Sequence, residues 1–189
     1  MITIRQETNR DIAAREALLD QAFGEDRFAK TAQRLRDGRL PAAGLSFVAT
    51  ENRSVVGTIR LWNVTAGPNR PALLLGPIAV ACDRQNRGIG AVLMDHALRA
   101  ADRLSHEAVL LVGDAPYYGR FGFSAEKTGA LWLPGRYEAD RFLALELEPG
   151  ALADARGLVS ATGRRLPKPA LSTLVASFGE TGTLAARAA

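Results

Sequence analysis

The 189 residues contain one cysteine, Cys82. A single thiol closes no internal disulfide, which suits a reducing cytoplasm. Two histidines accompany it, His96 and His106, at spacings that build no four-ligand zinc site, so no metal is expected. No apolar run approaches the roughly 18–20 residues of a membrane span. The first seven residues carry no basic stretch followed by an apolar core, so neither a signal peptide nor a membrane partner is expected. Lysine is scarce too, and arginine supplies nearly all the positive charge behind the net +4. A basic surface suits nucleic acid or an anionic ligand. The charges are scattered, however, and no Lys/Arg stripe with interleaved aromatics appears, which argues against nucleic acid.

What is present reads as an ordinary globular chain, 47% hydrophobic and 23% charged, long enough for one domain and one core. Residues 1–6 alternate as a first strand would. Thr8 stands three residues ahead of Asp11 as in a capping box, and Ile12, Leu19, Ala22 and Phe23 then keep helical spacing up to a stop at Gly24. A second short helix is expected to bury Phe28, Ala32 and Leu35, with Gly38 past its end. Residues 46–50 and 54–64 read as a hairpin. Residues 72–81 read as an apolar strand in which Gly76-Pro77 forces a bulge or a splayed edge, because proline donates nothing to a ladder. A helix follows over 89–104 with Ile89, Val92, Leu93, Ala97, Ala100 and Leu104 as its apolar positions. A buried strand over 108–112, a short helix over 116–121 and a late strand over 141–147 complete the pattern. Pro149-Gly150 reads as the end of a domain spanning 1–148. Residues 149–189 form a C-terminal extension in which Leu171, Leu174, Val175 and Phe178 make one helical face able to dock on the body.

The most informative stretch is Gln85-Asn86-Arg87-Gly88-Ile89-Gly90-Ala91, between the apolar strand and the amphipathic helix. A helix N-terminus offers free N–H groups and a positive dipole end, which bind phosphate. Gly88 and Gly90 let the backbone approach oxygens that a Cβ would hold away, and Arg84 and Arg87 stand by to add charge. Glycines that merely permit a tight strand-to-helix turn would look the same. A dinucleotide site is disfavoured because G-x-G-x-x-G spacing is missing, and a P-loop because no Gly-Lys-Ser/Thr follows.

The surroundings of that loop decide between the two. Gln85 to Gly90 matches the Q/R-x-x-G-x-G/A motif of the GNAT acyltransferase superfamily, following a strand that reads Gly76-Pro77-Ile78-Ala79-Val80. Downstream, Tyr118-Gly119-Arg120-Phe121-Gly122-Phe123 resembles the family's Y-x-K/R-x-G-F signature. The longer similarity, from Leu75 to Phe123, resembles the YhbS-type bacterial branch. Cys82 stands where many members have proline, and Asp114 near where many have asparagine.

The resemblance implies a mixed α/β fold with a central, mostly antiparallel sheet and helices on both faces. It implies transfer of an acetyl group from acetyl-CoA, the acyl-donor substrate, to a small-molecule or protein amine; a homodimer is compatible with it. On the family pattern, Ile78, Ala79 and Val80 pair with the pantetheine arm, an N–H near Ile78 donates to the thioester oxygen, and residues 85–91 hold the pyrophosphate. Tyr118 takes the place of the general acid, with Tyr117 as fallback and core packing as its other reading. Arg120 either reaches a CoA phosphate or makes a structural ion pair. No general base stands out: Glu25 and Asp26 fall where the first helices shape the acceptor pocket but read first as a solvated turn, His96 reads as a packing residue, and Cys82 as a small buried thiol. A non-catalytic acyl-CoA-binding regulatory domain is the alternative, and the acceptor is not named by the sequence.

Overall fold

Alternation of apolar side chains along three neighbouring strands explains how one sheet divides two cores. The computed structural model describes residues 1–167, the side chain of Glu25 excepted. In chain order its elements are β1 (Ile2–Gln6), α1 (Ile12–Phe23), α2 (Thr31–Arg34), β2 (Ser46–Glu51), β3 (Ser54–Ala66), β4 (Pro71–Val80), α3 (Ile89–Arg103), β5 (Ala108–Val112), α4 (Ala115–Gly119), β6 (Leu131–Trp132), β7 (Phe142–Glu146) and β8 (Gly157–Ala161). Successive strand residues point to opposite faces. Ile59 and Leu61, Leu73 and Leu75, and Val109 and Leu111 therefore face one side, where α3 covers them with Ile89, Leu93, Met94 and Ala97. Trp62 and Val64, Ala72 and Leu74, and Ala108 and Leu110 face the other, joined there by Leu35. Leu18 and Leu19 of α1 pack on that second side against Ala79.

The sheet runs β1-β2-β3-β4-β5-β7, with all these pairs antiparallel except β4–β5. It is thus a mixed α/β architecture with a mostly antiparallel sheet and helices on both faces. Among the described residues no helix is long and apolar enough to cross a membrane.

Several expectations need correcting. In α1 the buried face is Leu18 and Leu19 with Arg15, while Ile12 is exposed. Arg15 takes an inward position that an apolar periodicity skips, and it can do so because Glu7 accepts its guanidinium. Phe28 closes a 3₁₀ turn (Glu25–Phe28) and is exposed. The tighter turn puts it out of phase with Leu35. In α3, Met94 and Ala101 are inside whereas Val92 and Leu104 are exposed.

Beyond Glu148 the chain stays in contact with the body. Leu152, Ala155 and Val159 are buried in the second core, β8 pairs with β3 through Val64–Ala66, and it also pairs with the two-residue β6. Neither β6 nor β8 was expected. The helical face of Leu171 to Phe178 lies outside the described residues.

Candidate functional site

The site begins where two strands part. β4 and β5 are in register only at Leu73↔Val109 and Leu74↔Leu110. Beyond that, Leu75 pairs with Leu61 and Ile78 with Ile59, so Gly76 and Pro77 together oppose Arg60. This is the bulge that the proline demands, and the Trp62 indole N–H pins it by donating to the Gly76 carbonyl at 2.7 Å. Among the described residues, the rest of β4 diverges from β5 and pairs with β3 alone. Ala81 N–H donates to Val56 O at 2.9 Å. Because an antiparallel ladder alternates, Ala79 also turns its N–H and C=O toward β3, whereas those of Ile78 and Val80 face the gap. The Ala79 side chain is buried on the α1 side. The open edge is therefore offered by Ile78 and Val80.

Directly after this edge comes the start of α3. Asn86 and Gly88 both take left-handed backbone conformations, with φ of 59° and 77°. A Cβ on Gly88 would meet nothing within 4 Å, so this glycine serves the turn. The helix start has no side-chain cap and no acidic residue in its first turn. The N–H groups of Ile89, Gly90 and Ala91 consequently keep their positive end free for an outside acceptor.

A cavity of about 600 Å³ lies over them, lined by Val80, Gln85, Asn86, Gly88, Ile89, Gly90 and Ala91 together with Arg84, Tyr117 and Arg120. Arg87 lies outside this lining. Glu51 ties both loop arginines, with Arg84 Nε at 2.6 Å and Arg87 Nη2 at 3.5 Å. The hydrogen bond from Arg84, helped by Arg87, holds the Glu51 carboxyl below its usual range. Arg120 has no ion pair among the described residues and stacks its guanidinium 4.2 Å over the Tyr117 ring.

A second cavity, of about 940 Å³, opens on the other side of the fork and is floored by Gly76, Pro77, Ile78, Leu111 and Gly113. Tyr118 lines it, and Tyr117 lines both cavities. A Cβ on Gly90 would stand 3.1 Å from the Tyr117 hydroxyl, so Gly90 serves the approach of that phenol to the helix start. α4 holds the two tyrosines: Asp114 caps it by accepting from Tyr117 N–H at 3.2 Å, and Pro116 occupies its first turn. The Tyr118 ring meets Tyr117 edge-on at 4.9 Å and Phe123 at 6.1 Å. Burial, with a smaller effect from Tyr117, pushes the Tyr118 phenol up to about 12. It stays a proton donor across the neutral range.

The other expected candidates stand apart. His96 is half-buried with its ring edge-on to Phe47 at 4.7 Å, and burial followed by Arg103 and Arg99 lowers its pKa. His106 is likewise lowered by burial, and neither histidine lines either of these two cavities. Asp26 is exposed, and the side chain of Glu25 lies outside the described residues. Cys82 is exposed rather than buried, because the strand has ended at Val80 and a 3₁₀ turn carries the thiol outward. No group of three metal-ligating side chains occurs among the described residues.

Sequence reasoning missed Gly113, where a Cβ would fall 2.1 Å from the Tyr118 ring. Its signal was a glycine directly after a buried strand. Glu51 was also missed, and as the end of a hairpin strand it gives no signal of its own.

Known proteins resemble this chain in sequence and in fold. A profile of the acetyltransferase (GNAT) domain matches residues 42–125. The chain is 30% identical over 122 residues to YhbS of Escherichia coli K12, described as an uncharacterized N-acetyltransferase, covering 64% of this chain and 72% of the relative. The crystal structure of Escherichia coli YhbS in complex with CoA matches with a TM-score of 0.70 and 30% identity, over 85% of this chain and 89% of that one. A GNAT family acetyltransferase from Brucella melitensis in complex with acetyl-CoA matches with a TM-score of 0.58 and 25% identity, over 90% and 94%.

Proposed function

This chain belongs to the GNAT family of N-acetyltransferases, and from that premise we propose how its own residues carry the reaction. It is an acyl-CoA-dependent N-acetyltransferase that moves an acetyl group from acetyl-CoA to an amine. The observation that carries the residue assignment is the uncapped start of α3, set beside a strand edge that has lost its neighbour.

The pyrophosphate of the donor sits on the N–H groups of Ile89, Gly90 and Ala91, with Gln85, Asn86 and Gly88 shaping the loop and Arg120 adding charge from α4. Its amide-bearing arm runs along the gap as an added strand, bonded to the backbone of Ile78 and Val80. This delivers the thioester to the junction of the two cavities. There the N–H of Ile78 donates to the carbonyl oxygen as the neutral amine attacks. The new C–N bond forms as the C–S bond breaks, the Tyr118 phenol protonates the departing sulfur, the surplus amine proton leaves to solvent, and the phenolate regains a proton from solvent. We place the reaction in the cytoplasm, where a reducing environment suits the exposed thiol of Cys82.

Calorimetric titration of CoA into the native chain and Gly90→Val tests the phosphate assignment. The valine must displace Tyr117 and narrow the first cavity, so a folded variant should bind CoA at least about tenfold more weakly, the weight of a single charge-assisted hydrogen bond. Unchanged affinity in a folded variant would remove the helix start from the donor site.

A further inference from the structure

Arg36 is 8% exposed, and its Nε has no hydrogen-bond partner among the described residues. Its side chain makes no hydrogen bond or ion pair with any described residue. A buried cation left unpaired is a liability that a fold carries only where something else completes it. The guanidinium lies beside the bulge, with Nη1 3.8 Å from where a Cβ on Gly76 would stand, and it lines the larger cavity. Gly76 stands two residues before Ile78, so the guanidinium lies in that cavity beside the strand edge assigned to the thioester. Burial draws it down to about 10, opposed by Asp37, so it keeps its charge at neutral pH.

The walls around it share its sign. Arg27, Lys30, Arg34, Arg136 and Arg141 line the same cavity, against the carboxylates of Asp114 and Glu138. Glu16 and Asp20 occupy Arg27, and Glu138 stands 4.0 Å from Arg141. Lys30, Arg34 and Arg136 have no carboxylate within ion-pair distance among the described residues. Such a field repels a polyamine and does nothing to hold a neutral amine, while it attracts a negatively charged one.

We propose that the acceptor is a small amine carrying an anionic group, a carboxylate or a phosphate, which sits on Arg36 while the amine reaches the thioester. The proposal rests on the acetyltransferase reading of the same cavity. A guanidinium suits both anions, because its planar fork pairs with two oxygens at once.

The test uses the full chain with saturating acetyl-CoA and matched amines: O-phosphoethanolamine against ethanolamine, alanine against alaninamide, and spermidine as the cationic member. Rates of CoA thiol release are compared per neutral amine. The anionic member of a pair should show kcat/KM about 10- to 100-fold above its partner, as charge-assisted hydrogen bonds predict; the two pairs tell phosphate from carboxylate. Arg36→Met should raise KM for that acceptor by a similar factor with little change in kcat. It should leave acetyl-CoA affinity intact without lowering thermal stability, and Arg36→Lys should restore part of the loss.

If nothing in the panel turns over, O-phosphoethanolamine and alanine are titrated into the CoA-loaded protein. Binding that Arg36→Met abolishes supports the proposal, and absence of binding overturns it. Preference for the neutral or cationic amine, or an Arg36→Met variant with unchanged acceptor KM, also overturns it while the acetyltransferase reading stands. Failure of the native chain to bind acetyl-CoA would defeat that reading itself.

Discussion

Tyr118 answers to two demands at once, because its ring is part of the core and its hydroxyl is assigned to the chemistry. Removing only the oxygen separates them. Tyr118→Phe should bind acetyl-CoA almost as the native chain does and lower kcat by about 10²–10⁴-fold, the usual range for a positioned acid. A steady-state assay with a working acceptor reads this, and an unchanged kcat would leave Tyr118 a packing residue. Its elevated pKa also has a sign in stability. Burial raises the folded value to about 12 from an ordinary 10, so the benefit of the neutral ring is complete below pH 10 and fades as pH climbs toward 12. Melting temperatures taken across that window should fall more for the native chain than for Tyr118→Phe. Gly113 guards the same ring. With a Cβ 2.1 Å from it, Gly113→Ala must push the ring aside. Such overpacking costs about 1–3 kcal/mol. Denaturant unfolding should show that loss, and kcat should fall with it.

Among the elements, β3 was legible from its β-branched and aromatic residues, β4 and β5 from their apolar runs and α3 from its helical period, and the bulge was legible because proline leaves a strand no alternative. The start of α3 was legible from two glycines between a strand and a helix. β6 escaped because two residues carry no period. β8 escaped because only Val159 in it is fully buried and the surrounding composition is Ala-, Gly- and Arg-rich. Arg15 and Arg36 escaped for one shared reason: a charge reads as solvent-facing until its surroundings are known, and Glu7 lies eight residues from the first while no described carboxylate forms an ion pair with the second. A sharp test of β8 is Val159→Asp, which sets a carboxylate in the apolar cluster with Val64 and Ala66. Unfolding free energy should drop by at least about 3 kcal/mol. A chain ending at Glu148 keeps both cavities' lining residues yet loses this packing. It should melt at lower temperature, with CoA affinity preserved in whatever fraction folds.

At the scale of the whole molecule, the donor is expected to act as a clamp. Its assigned contacts join β4, α3 and α4, which otherwise meet around a gap. A ligand held only by the native state, at a hundredfold excess over its Kd, adds about 2.7 kcal/mol. For a chain of this size the melting temperature should rise by about 5–10 °C. Differential scanning fluorimetry with and without CoA checks the shift, and Gly90→Val should blunt it. The fork between β4 and β5 has one more consequence, for solubility. An unpaired strand edge is a template on which other chains aggregate, and soluble proteins protect such edges. Here the bare edge at Ile78 and Val80 is recessed between two strands of its own sheet, so the flat rim of a neighbouring molecule cannot reach it. A single slender chain can. The same narrowness that suits the thioester arm assigned to it therefore shields this edge from strand pairing with a second molecule.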